Sequence, residues 1–121
     1  MRLQLVQIAT ARAGDKGDIA DISLFAPNKE TYEVLERQVT ADRVRAHFEG
    51  VVRGPVFRYE LPLLRALKFV LHGALDGGAA RSLRADNLGK TLGAALLRME
   101  IDWPEGVPAR AAGKRREEGG R

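Results

Sequence analysis

The sequence predicts an α+β fold, a mainly antiparallel sheet with helices packed on one face. Three observations predict it. Two extended apolar runs near the start are joined by a short glycine-bearing segment, the pattern of a hairpin-linked pair. Later segments carry apolar residues at helical spacing. Strands and helices, about four and three or four in number, do not alternate strictly, which disfavours a parallel α/β sheet. At 121 residues, 45% apolar and 30% charged, the chain has the size of one domain.

The elements follow in order. Residues 3–10 are apolar on both faces, which predicts an interior strand covered on each side. Ala13-Gly14-Asp15-Lys16-Gly17-Asp18 breaks that pattern, and Ile19 to Ala26 resumes it until Pro27-Asn28. Tyr32, Leu35 and Val39 share one face of a helix over 31–39, with Glu30 and Glu33 near its positive end. Thr40 caps a second helix that gathers Val44, His47 and Phe48 on one face and stops at Gly50. Residues 51–55 connect to a third strand over 56–61, with Val56, Arg58 and Glu60 on one side and Phe57, Tyr59 and Leu61 on the other.

Pro62 then opens the strongest helical pattern, the stripe Leu63, Leu67, Val70, Leu71 and Ala74, which ends at Gly77-Gly78. Arg81 to Ala85 is short and reads as extended. Asp86 or Asn87 caps a last helix through Leu88, Leu92, Ala95, Leu96 and Met99. Gly89 and Gly93 lie inside it, each at up to about 1 kcal/mol relative to alanine, a cost that predicts close approach of another backbone or a ligand. Met99 to Trp103 forms a final edge strand, and Trp103 closes the core. The expected organisation is a domain over 1–103 and a disordered tail over 104–121 rich in Pro, Gly, Ala and charge.

Composition excludes several functions. With no cysteine, a disulfide scaffold, a thiolate nucleophile and a Cys-type metal site are excluded. His47 and His72 are the only histidines, too few for a three-His site. No apolar run approaches the roughly 20 residues of a membrane span, and no export signal is read at the start, so a cytoplasmic protein is expected. The net charge of +4 divides equally between residues 1–103 and the tail. Lys and Arg are interspersed with acids and aromatics are few, so nucleic-acid binding is not expected.

Three glycine segments carry candidate chemistry. In Gly14-Asp15-Lys16-Gly17-Asp18, backbone N–H groups and a lysine suit a carboxylate, a phosphate or the phosphates of an acyl-coenzyme A. Asp15, Asp18 and Asp21 equally suit a hard divalent cation, or a plain polar turn. Gly77-Gly78 with Arg81 and Ser82 is a helix cap or an anion seat. Gly89-Lys90-Thr91 at a helix start is capping or another anion seat. Arg58 and Glu60 read as an ion pair, and His72 as a weak general-base candidate.

Residues 11–22, Ala-Arg-Ala-Gly-Asp-Lys-Gly-Asp-Ile-Ala-Asp-Ile, resemble the ARSGDKGDxANIG signature of the C-terminal domain of acyclic terpene utilisation (AtuA-like) proteins. Residues 58–62 with 66–71 resemble that family's RYxLPNLxALNFxL segment, and residues 74–78 with 81–84 and 89–92 its ALGGGxxxSLRLDxxGKxL segment. Asp21, Leu63 and Lys68 stand where the family has asparagine, and Asp76 precedes two glycines only. The resemblance implies a ferredoxin-like fold and the separate, small form of the domain. It implies a small subunit or ligand-binding module that works with a larger AtuA-like partner in acyclic terpene or branched acyl-coenzyme A breakdown. Gly14, Asp15, Lys16, Gly17, Asp18, Gly77, Gly78, Arg81, Ser82 and Lys90 are its expected ligand-contacting residues, with no cofactor or metal. The alternatives are a stand-alone acyl-coenzyme A hydratase or hydrolase drawing on Asp15, Asp18, Glu60 and His72, and a homo-oligomeric domain joined at its sheet edge.

Overall fold

The computed structural model describes residues 1–74 and 88–109, without the side chains of residues 15, 16 and 88–91. Its strands are β1 (Arg2–Gln4), β2 (Thr10–Lys16), β3 (Ile19–Phe25), β4 (Val56–Leu61), β5 (Ala66–His72) and β6 (Glu100–Asp102). Its helices are α1 (Lys29–Gln38), α2 (Ala41–His47) and α3 (Leu88–Leu96). Four strands form one antiparallel sheet in the order β2-β3-β5-β4, and β1 pairs antiparallel with β6. β3 and β4 therefore run parallel with β5 between them, the split β-α-β arrangement of ferredoxin-like folds. The place beside β3 is taken by β2, which precedes that unit in the chain, while β6 returns to β1.

One face of the sheet is covered. Ala20, Ile22 and Leu24 of β3 and Leu67, Phe69 and Leu71 of β5 are buried at period two, beneath Val34, Leu35, Val44, Leu92 and Leu96 of the helices. The helices start where capping chemistry permits. Asn28 accepts the N–H of Thr31 at 2.8 Å, and Thr40 accepts that of Arg43 at 3.2 Å. Trp103 is buried at the rim and its indole N–H donates to the Val107 carbonyl at 2.6 Å, so it closes the core as expected.

Three expectations are corrected. Residues 3–10 are not one strand: β1 stops at Gln4, Leu5–Gln7 form a 3-10 turn, and the Leu5 and Val6 amides donate to Met99 and Leu97 carbonyls at 2.9 Å. Leu5, Ile8 and Ala9 are buried from this turn, so both faces of the segment read as apolar without its being extended. The break expected at residues 13–18 is shorter, since β2 runs on to Lys16 and only Gly17-Asp18 turns. The helix after Pro62 is a 3-10 turn, Pro62–Leu64, followed by strand β5. Arg65, at φ 51°, ends the turn in the left-handed region, and Leu63 is 99% exposed. A central strand, apolar at both Leu67/Phe69/Leu71 and Val70, presents a stripe that fits helical spacing equally well. The expected extended stretch 81–85, the caps at Asp86 or Asn87 and the tail beyond 109 lie outside the described residues.

Candidate functional site

The Gly-Asp-Lys-Gly-Asp segment forms the tip of the β2–β3 hairpin. Lys16 pairs with Ile19, which leaves a two-residue loop, and Gly17 has φ 63° while Asp18 does not have positive φ. That is the type II′ pattern, which puts glycine first. Gly14 matters for a different reason. It pairs with Asp21, and a Cβ there would lie 3.1 Å from the Asp21 carboxylate, which also faces the Lys68 ammonium at 3.6 Å.

Two further segments meet this hairpin. The Ala74 amide donates to the Asp18 carbonyl at 3.1 Å, so Ala74, three residues before Gly77, lies at the hairpin tip. Gly77, Gly78, Arg81 and Ser82 themselves lie outside the described residues. α3 packs across β2, where a Cβ on Gly93 would stand 3.3 Å from that of Ala13, the close approach that its glycine predicts. Leu97, just past the end of α3, accepts the Val6 amide, so α3 runs antiparallel to β2 and its first turn, with Lys90, points toward the hairpin tip. A cavity of about 430 Å³ lies along this seam, lined by Ala11, Arg12, Ala13, Gly93, Ala94 and Leu97. A second, about 390 Å³, lies over α2 between Asp42, Arg45 and Glu49.

Other candidates are placed elsewhere. Asp21 and Asp15 occupy successive rows of the ladder, which alternate between the faces of a sheet, and Asp21 is already paired with Lys68. Among the described side chains, which do not include that of Asp15, no group of three or more acidic or histidine residues could hold a metal ion. His72 stands on β5 rather than on a helix, edge-on to Phe57 at a centroid distance of 5.5 Å. His47 is exposed on α2, 2.7 Å from the Ala95 carbonyl. Arg58 and Glu60 do form an ion pair, at 2.7 Å.

Arg58 also has a role that the sequence reading missed. Its guanidinium donates to the Glu36 and Val39 carbonyls at 2.7 and 3.0 Å, satisfying the C-terminal end of α1. The uncovered sheet face was missed as well. Phe57 and Tyr59, 46% and 52% exposed, stand there with Ile19, and the exposed Leu63 and Leu64 follow at the β4–β5 turn. The alternation in residues 56–61 carried that signal, but only the register shows that no helix among the described residues covers this side.

A family model described as the AtuA ferredoxin-like domain matches residues 3–102. No curated protein and no solved structure matches the chain.

Proposed function

Because this chain belongs to the AtuA ferredoxin-like family, we propose that it serves AtuA-type biochemistry as a small binding subunit rather than as a self-contained catalyst. In this reading its uncovered sheet face docks on a larger AtuA-like partner that acts in acyclic terpene or branched acyl-coenzyme A breakdown. The observation that carries it is the apolar surface of Phe57, Tyr59 and Ile19, extended by Leu63 and Leu64, on a sheet whose other face already holds the core. Large apolar groups gathered on one face of a small domain mark a contact surface. Affinity capture of the tagged chain from its native cells tests it. Co-recovery of a larger AtuA-like protein is expected, and its loss in Tyr59→Asp with the fold retained. Recovery of the chain alone would overturn the reading.

The ligand side of the proposal rests on the hairpin tip, the hydrogen bond of Ala74 to Asp18, and the direction of α3. Together these support an anionic group, such as the phosphates of an acyl-coenzyme A, near Gly14 to Asp18 with Arg81, Ser82 and Lys90. Coenzyme A is then expected to raise the melting temperature of the wild type and not of Lys16→Ala. The stand-alone hydratase or hydrolase reading is less well supported. Glu60 is engaged by Arg58 on the covered side of β4, and His72 lies edge-on to Phe57 on the other side.

A further inference from the structure

We propose that the chain forms a two-fold homodimer by pairing β2 with β2 of a second copy, in the register that sets Ala13 opposite itself. This goes beyond the docking reading above and does not depend on it, since it joins the β2 edge, at the opposite side of the sheet from Phe57 and Tyr59 of β4.

β2 is an outer strand of seven residues, and among the described residues its outer edge pairs with no other strand. Unpaired strand edges template further pairing unless proline, a bulge or flanking charge prevents it. β2 holds no proline, and beside it runs the cavity lined by Ala11, Ala13, Gly93 and Ala94. Small residues there let the two α3 helices come together across the axis at the usual 8–10 Å or so between helix axes.

Overlap and charge select the register and the occupant: centring on Ala11 pairs only Thr10 to Arg12, whereas centring on Ala13 pairs the whole strand. A two-fold axis perpendicular to the sheet keeps the helices of both copies on one side and allows only pairings centred on a residue. Centring on Arg12 sets arginine against arginine. Centring on Gly14 sets Arg12 against Lys16. Like charges directly opposite are destabilising. Centring on Ala13 sets Arg12 against Gly14 of the second copy and Thr10 against Lys16. Gly14 has no side chain, and the next residue in its row is Asp21. Arg12 is exposed and has no carboxylate within 4 Å among the described residues. Strands lie about 4.8 Å apart, so an arginine and an aspartate reach each other over the intervening glycine. Two-fold symmetry makes that contact twice, an isologous interface of the kind that closes a dimer.

Sedimentation velocity on the full chain is expected to give twice the 13.3 kDa chain mass. Arg12→Glu, which faces two carboxylates with glutamates, and Asp21→Arg, which faces arginine with arginine, are each expected to weaken the dimer about tenfold or more. An equimolar mixture of the two variants restores both contacts. The glutamate of one variant meets the introduced arginine of the other, and the remaining Arg12 meets the remaining Asp21. The mixture is therefore expected to sediment as a heterodimer. The double variant in one chain is expected to dimerise again. A wild type that stays monomeric at tens of micromolar overturns the proposal. So does a dimer indifferent to both reversals, or single variants that remain folded monomers on mixing.

Discussion

β4 and β2 are the two outer strands of one sheet, and they are finished in opposite ways. β4 enters after Pro55 and leaves at Pro62, and its Arg58 is tied to Glu60 and to the end of α1. Proline and inward-tied charge are the usual means of closing an edge. β2 has no proline, is built largely of small residues between Thr10 and Gly14, and carries an arginine with no partner among the described residues, under a helix that touches it through Gly93. The arginine on β4 holds the fold together, while the arginine on β2 has no described partner within its own chain. The difference teaches that the same residue type, on two edges of one sheet, marks an internal contact in one case and an available one in the other.

The largest break in that contrast comes from Arg58→Ala. It removes a guanidinium that is 18% exposed, strips the Glu36 and Val39 carbonyls of their donor and leaves Glu60 unpaired. Hydrogen bonds to charged groups contribute about 1.5–3 kcal/mol each and do not simply add, so a loss of about 2–3 kcal/mol is expected in chemical denaturation. Arg12→Ala on the other edge is expected to change monomer stability by no more than about 0.5 kcal/mol. Equal losses at the two positions would erase the distinction.

How far the sequence made this legible differs between the edges. The Arg58/Glu60 pair could be read from spacing, because residues two apart on a strand share a face. The helix end that Arg58 caps could not, since it lies about twenty residues away and only the fold brings it near. The strand β4, the cap at Thr40 and the edge strand before Pro104 were all readable from local chemistry. β5 was not, because a central strand covered on one side and half-covered on the other has the composition of a buried helix. The family signature supplied the ferredoxin-like class, and its glycine segments pointed to the hairpin tip. The register that sets Gly14 against Asp21 follows only from where the turn falls.

On the β2 side the next effect is smaller. Gly93→Val places branched carbon where a single Cβ already lies 3.3 Å from Ala13. Overpacking of this kind costs about 1–3 kcal/mol, and about 1–2 kcal/mol is expected here, measured as a lowered denaturation midpoint. Adding Ala13→Gly removes the facing methyl and is expected to recover most of the loss. Gly93→Ala balances the same contact against a helix-propensity gain of up to about 1 kcal/mol and is expected to fall near zero. Failure of Ala13→Gly to help Gly93→Val would mean that α3 does not meet β2 through this pair.

The smallest effect returns to the β4 side. Tyr32 of α1 is 6% exposed and its hydroxyl has no hydrogen-bond partner among the described residues. Its pKa is raised, first by burial, then by the nearby Glu36 and Glu60 carboxylates, with Arg58 pulling the other way. A raised pKa means that the fold favours the neutral phenol. The unfolded chain ionises this tyrosine near 10 or so, so its contribution is complete below that pH and is lost as pH rises through the higher folded value. Tyr32→Phe removes both the orphaned hydroxyl and the ionisation. At neutral pH it is expected to leave stability unchanged or raise it by up to about 1 kcal/mol, and above pH 10 or so its denaturation midpoint is expected to fall less steeply than that of the wild type. Tyr59, more than half exposed, remains in this variant and leaves other alkaline titrations in place. Parallel alkaline limbs for the two proteins would show that the phenol ionises as freely in the fold as outside it, and that the β4 edge is less tightly closed around Arg58 than its contacts indicate.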